Sequence, residues 1–261
     1  MTLLVLVLPF LVAADMTTND YAFMDALRNQ WSLSGTSFTP AWTGNDNYAC
    51  DWFGVTCDHS GNLINLTVTA PGLWGGTVPS KLKDTHLVTL SLTGFGLSGA
   101  IPTLPGSLTR LTLSSNAFTS ASSVIGTGTN LQQVDLSHNQ LTGTIASSFF
   151  NNKLVSLDLS YNALSGAIPA LPSNLQSLSL AVNSFTGAVP TPTTTLRTLN
   201  LNNNLLNGTL PTLAATLPLR QLSVAGNGIS GPLGSVPASL EVMYVQIIVS
   251  FRARFQATDR L

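Results

Sequence analysis

Charge is what this 261-residue chain has least of: Asp, Glu, Lys and Arg make up 8% of it, against roughly a quarter in ordinary soluble domains. Ten basic and eleven acidic residues leave a formal net charge of -1, which gives no long-range field to gather nucleic acid, anionic lipid or an acidic substrate. Nucleic acid is therefore not an expected partner. Apolar runs are short, and none reaches the ~20 residues a membrane-spanning helix needs. Cysteine is nearly absent: Cys50 and Cys57 stand alone, and in an oxidising compartment they read as one disulfide closing a small loop. A zinc site would need two more ligands, and His59 is the sole neighbour of the right type, so no metal and no cofactor is expected.

Catalytic signatures are missing as well. The chain has no G-x-x-x-x-G-K, no H-E-x-x-H and no kinase motif set. Ser114 or Ser115 with His138 and Asp135 supplies hydrolase residue types, but no strained elbow or oxyanion donor accompanies them. The expectation is a protein that is not an enzyme.

Residues 1–14 hold an unbroken apolar stretch from Leu3 onward and end in Val12-Ala13-Ala14 before Asp15. Small residues closing a short apolar run predict a signal peptide cleaved near Ala14, although its start lacks Lys or Arg. A buried apolar N-terminal segment is the alternative reading. Secretion would make two sequons, Asn65-Leu-Thr67 and Asn207-Gly-Thr209, candidates for N-glycosylation.

What the chain does have is a repeat. Leucine or a substitute recurs at relative positions 1, 4, 6 and 11, with Asn at 9 and Gly often at 13. The register starts at Leu63, Leu87, Leu108, Leu131, Leu154, Leu175, Leu196, Leu219 and Leu240, with spacings of 24, 21, 23, 23, 21, 21, 23 and 21 residues. Those spacings fall in the leucine-rich range of about 20 to 29. Alternation at positions 4 and 6 predicts a short strand with Leu157 and Leu159 inward and Ser156, Asp158 and Ser160 outward, each coil adding one strand to a parallel sheet. Asn116, Asn139, Asn162, Asn183, Asn204 and Asn227 fall where the chain leaves that strand. Their amides can satisfy backbone groups that no strand ladder pairs, so they are expected to form a structural asparagine ladder. The Gly-x-apolar-Pro elements that follow, such as Gly166-Ala-Ile-Pro169, stop any helix and predict a convex side of extended segments, turns and short 3₁₀ pieces. The predicted fold class is a leucine-rich-repeat solenoid of the horseshoe type with a helical N-terminal cap.

The expected organisation is a cap over residues 19–58, about nine repeats over 63–248 with a degenerate last coil, and an irregular tail over 249–261. In the cap, Tyr21, Phe23, Met24, Leu27 and Trp31 have helical spacing after Asn19-Asp20, which offers an N-cap, while Trp42, Trp52 and Phe53 are expected to cover the first coil. The last coil has Ile248 where Asn belongs, and Arg252, Arg254 and Arg260 follow without repeat character. That break predicts a truncated or frame-shifted end whose fuller version carries an anchor.

Cys50-Asp-Trp52-Phe-Gly54-Val55-Thr-Cys57 resembles the C-x-W-x-G-V-x-C cap signature of plant-type leucine-rich-repeat receptors, and the coils resemble that family's L-x-x-L-x-L-x-x-N-x-L-x-G-x-I-P pattern over residues 19 to 239. The resemblance implies an extracellular, receptor-like binding protein. The shortened coils Leu171-Pro-Ser-Asn-Leu175 and Val236-Pro-Ala-Ser-Leu240 resemble the leucine-rich surface antigens of kinetoplastid protozoa, which implies a surface glycoprotein tethered by a lipid tail.

Outward positions 2, 3, 5, 7 and 8 of successive coils are expected to stack into a concave surface. Asp135, His138, Asp158 and Tyr161 occupy columns 5 and 8 of adjacent coils and form one candidate ligand site; Arg197 and Arg220, sharing column 2, form another, suited to a carboxylate, phosphate or sulfate. The expected function is recognition of a protein, peptide or glycan by a monomer, secreted or held at the outer face of the plasma membrane through an anchor. A structural surface coat without a dedicated ligand, or an inhibitor of a secreted enzyme, is the alternative.

Overall fold

A computed structural model describes residue 16 and residues 18–33, 50–51, 54–69, 75–120, 130–150 and 153–245, with side chains omitted for 30–33. The expected signal segment 1–14, the cap aromatics Trp42, Trp52 and Phe53, the Trp31 side chain and the tail 249–261 lie outside the described residues.

In chain order the elements are helix α1 (Thr18–Leu33) and strands β1 (Val55–Cys57), β2 (Leu63–Thr69), β3 (Thr89–Thr93), β4 (Ser98–Ala100), β5 (Arg110–Thr112), β6 (Ala117–Ser120), β7 (Gln133–Asp135), β8 (Thr142–Thr144), β9 (Ser156–Asp158), β10 (Ala163–Ala167), β11 (Ser177–Ser179), β12 (Ser184–Gly187), β13 (Thr198–Asn200), β14 (Leu205–Gly208), β15 (Gln221–Ser223), β16 (Gly228–Ile229) and β17 (Val242–Tyr244). Ten strands form the main sheet in the order β1-β2-β3-β5-β7-β9-β11-β13-β15-β17. All its pairings are parallel except β1 with β2, where an antiparallel partner covers the first edge.

Leucines at positions 1, 4 and 6 are withdrawn from solvent coil after coil, as with Leu154, Leu157 and Leu159, and position 11 joins them through Leu141, Leu164 and Leu206 or through Phe118 and Phe185. The interior is one continuous column. Where the strand ends, Asn162 Nδ2 donates to Leu136 O of the preceding coil (3.0 Å) and Leu159 O of its own (3.0 Å), while Asn162 Oδ1 accepts from Leu141 N (2.9 Å). Asn116, Asn139, Asn183, Asn204 and Asn227 repeat that pattern onto Leu92 O, Leu113 O, Leu159 O, Leu180 O and Leu201 O of the coil before. Backbone groups at the corner, which would cost about 1–3 kcal/mol each if buried and unmet, are thereby paired across coils.

Three features differ from the reading of the sequence. The convex-side segments after position 11 include a second parallel sheet, in the order β16-β14-β12-β10-β8, and a separate pair β4-β6, with 3₁₀ turns at Ser80–Asp84 and Ser147–Phe149. Position 7 is buried rather than outward at Ser114, Ser137, Ser160 and Ala181, and the residue after each, at position 8, takes a left-handed conformation. That conformation is filled by Gly94 and Gly226 but also by Ser115, His138, Tyr161, Val182 and Asn203, with φ between 53° and 58° for the five non-glycines.

The third difference lies in the cap. Helix α1 starts at Thr18, so Asp20 sits in its first turn rather than capping it. The carboxylate is buried and leaves the helix: Oδ2 accepts from Leu63 N (3.0 Å) and Oδ1 from His86 N (3.0 Å), with His86 Nδ1 3.0 Å from Oδ2. One side chain thus ties α1 to the first two coils. Phe23, Met24 and Leu27 are fully buried at the same junction. Cys50 and Cys57 are joined by a disulfide. Between β1 and β2, Asn62 donates by its side chain and its backbone to Asp58, with Ser60 N as a further donor, and these bonds hold the Asp58 carboxyl below its ordinary range.

Candidate functional site

The main sheet sets outward side chains in straight rows because every parallel pairing keeps the same register. Column 5 runs Thr67, Ser91, Thr112, Asp135, Asp158, Ser179, Asn200, Ser223 and Tyr244, each opposite the next. Neighbours along this row are ~4.8 Å apart, the spacing of adjacent strands.

Asp135 and Asp158 therefore face each other one strand apart. Each is held from below by the serine two residues on. Asp135 Oδ1 accepts from Ser137 N (3.0 Å) and Ser137 Oγ (2.7 Å), and Asp158 Oδ1 accepts from Ser160 N (2.8 Å) and Ser160 Oγ (2.6 Å). The buried serines at position 7 are thus the supports of the carboxylates. His138 and Tyr161 stack, with ring centroids 4.1 Å apart and planes inclined by 11°. The left-handed conformation of both residues sets the two rings side by side at the corner of their coils. All four members of this candidate cluster lie on two adjacent coils. The Asp135 carboxylate turns to Ser137 and the His138 ring to Tyr161, so Ser115, His138 and Asp135 do not form a hydrogen-bonded relay among the described contacts.

Sequence reasoning passed over Arg110. It lies in column 3, opposite Gln133 and then Ser156, and with Thr112, Asp135 and Asp158 these residues line an open cavity of about 260 Å³ on the concave face. The signal was present in the register, since columns 3 and 5 point to the same side.

The second candidate pair is arranged differently. Arg220 N donates to Arg197 O (2.7 Å), which makes their coils adjacent, but Arg220 Nη1 is 3.2 Å from Glu241 Oε1, with both side chains more than half exposed. Glu241 is the column-2 residue of the following coil, so the row reads Arg, Arg, Glu and carries less positive charge than the two arginines alone. Of the sequons, Asn65 lies in β2 with Oδ1 accepting from the Thr67 hydroxyl (2.9 Å), and Asn207 is exposed in β14 of the second sheet. Among the described residues no group of three or more His, Cys, Asp or Glu is placed to hold a metal, and no helix is long and apolar enough to cross a membrane.

Two leucine rich repeat profiles match the chain, over residues 106–164 and 195–217. Receptor-like protein 35 of Arabidopsis thaliana is 36% identical over 94 residues, 35% of this chain and 9% of that protein. The chain spans less than a tenth of the length of the curated relatives it matches. Among solved structures, the leucine-rich-repeat ectodomain of the plant membrane receptor kinase GASSHO1/SCHENGEN3 from Arabidopsis thaliana, in complex with CASPARIAN STRIP INTEGRITY FACTOR 2, superposes with a TM-score of 0.59 at 26% identity, over 80% of this chain and 30% of that one. A plant ice-binding protein shares the fold over 87% of this chain and 95% of its own, with a TM-score of 0.53 at 21% identity. Repeat register, asparagine ladder and these likenesses together define the class: a leucine-rich-repeat solenoid, similar in fold to the ectodomains of plant receptors.

Proposed function

We propose that the chain is a recognition module that binds a protein or peptide through the concave face of its main sheet. The observation that carries this reading is the arrangement of that face: nine coils present side chains in unbroken columns, and a cavity lined by charged side chains opens to the same side. The likeness to a receptor ectodomain crystallised with a bound factor supports it. In this reading residues 1–14 direct secretion, Asn65 and Asn207 carry glycans, and the monomer works outside the cell, free or held at the plasma membrane by an anchor. A surface-coat role is favoured by a different observation: the second sheet exposes Thr142, Thr144, Thr186 and Asn207 without a charged side chain among its strands, a neutral hydrated flank.

Selection of a random peptide library against the immobilised full chain tests the recognition reading. Enriched peptides should lose binding when Ser179→Trp and Asn200→Trp crowd the concave face and keep it when Thr186→Trp alters the second sheet. Absence of enrichment, or loss through the second sheet alone, would overturn it.

A further inference from the structure

We infer that the cavity between Arg110, Asp135 and Asp158 is an arginine-side-chain site: it takes the guanidinium of an extended ligand segment between the two carboxylates and prefers an acidic residue two positions from that arginine. The inference rests on the concave-face reading and gives it a ligand chemistry.

Charges of both signs line this cavity without neutralising one another. Asp135 and Asp158 each commit Oδ1 to a serine, which fixes the carboxylate, and Oδ2 of each has no hydrogen-bond or ionic partner among the described residues. Arg110 makes no ion pair with either carboxylate. Two carboxylates facing each other across parallel strands repel, and a cation set between them relieves the repulsion. A hard metal ion is a poor candidate, because it wants more oxygen ligands than two half-committed carboxylates offer and no further acidic or histidine ligand joins them. A guanidinium suits the place better: its planar fork donates in two directions and can address both free oxygens. The cavity volume of about 260 Å³ accommodates such a side chain.

Arg110 sets the flanking preference. It lies two strands from Asp158, at the opposite wall, and would repel a second cation while attracting a carboxylate. In an extended segment, residues two apart lie on the same side and ~6.6 Å from each other, so an acid at that spacing reaches toward Arg110 when the arginine fills the pair.

N-acetyl-arginine methylamide, its uncharged citrulline counterpart, and the pentapeptides Gly-Glu-Gly-Arg-Gly and Gly-Lys-Gly-Arg-Gly with blocked ends serve as probes, titrated into the isotopically labelled full chain. The amides of Ser137 and Ser160, which donate to the carboxylates, report occupancy. The arginine probe should shift both amides, the citrulline probe should bind about tenfold more weakly or not at all, and Asp135→Asn with Asp158→Asn should cost about the same factor. Asparagine keeps the oxygen that the serines address, so these variants retain the local fold. The glutamate peptide should bind a few-fold more tightly than the lysine peptide, a difference lost in Arg110→Gln. Equal binding of arginine and citrulline, or binding unchanged in the double asparagine variant, would overturn the site. If library peptides bind the concave face while these probes do not, the arginine site fails and the recognition reading stands; if neither binds, both fail.

Discussion

At the residue scale, the corner of each coil decides both stability and the look of the site. Position 8 must be left-handed, which costs a side-chain-bearing residue about 1–2 kcal/mol and a β-branched one the most. Val182 meets that demand at φ 56°. It is half-buried and does not belong to the fully withdrawn core. Val182→Asn should raise stability by about 1 kcal/mol, or roughly 2–4 °C in Tm for a chain of this size, measured by thermal unfolding of the full chain. A lowered Tm would show that the methyl groups matter more than the backbone. Sequence alone could not reveal this conformation: Gly94 and Gly226 hint at it, but Ser115, His138, Tyr161, Val182 and Asn203 share no chemistry. Asp20 was equally opaque, since the amides it accepts from lie 43 and 66 residues away.

At the scale of the element, the strand of each coil was plain in the sequence and the second sheet was not. Leucines at positions 4 and 6 fix which side of the strand faces in, and equal register in every coil then fixes the columns; that is why Asp135 and Asp158 could be set side by side from spacing alone. The second sheet draws on segments of two to five residues around an apolar-x-Gly element, with Leu, Phe or Ile at its first position, too short for alternation to announce a strand. Asparagine binds the elements to each other. The Asn162 side chain makes four hydrogen bonds, to Leu136 O, Leu159 O and Ser160 O and from Leu141 N. Asn162→Ala strands several of those groups at once and should cost on the order of 3 kcal/mol in urea unfolding, with amide-exchange protection falling first in the two coils it joins. A loss under about 0.5 kcal/mol, in the range of an ordinary surface substitution, would mean that water replaces the amide freely.

Across the whole molecule, sparse charge makes the few charged groups informative. A solenoid holds its coils by contacts between neighbours, so one long face remains available for a partner without disturbing the interior. That face was legible as a surface but not as a site: Asp135, His138, Asp158 and Tyr161 were visible as a cluster, whereas the cavity needed Arg110, from a column not compared with theirs. The reverse holds for Arg197 and Arg220, whose shared column was legible while the pairing of Arg220 with Glu241 was not. Photo-crosslinking with a benzoyl-phenylalanine placed at Ser179 or at Thr186, using a library-selected peptide, tests the concave-face claim most directly. The account predicts a crosslink from position 179 and none from position 186; a crosslink from 186 alone would contradict it.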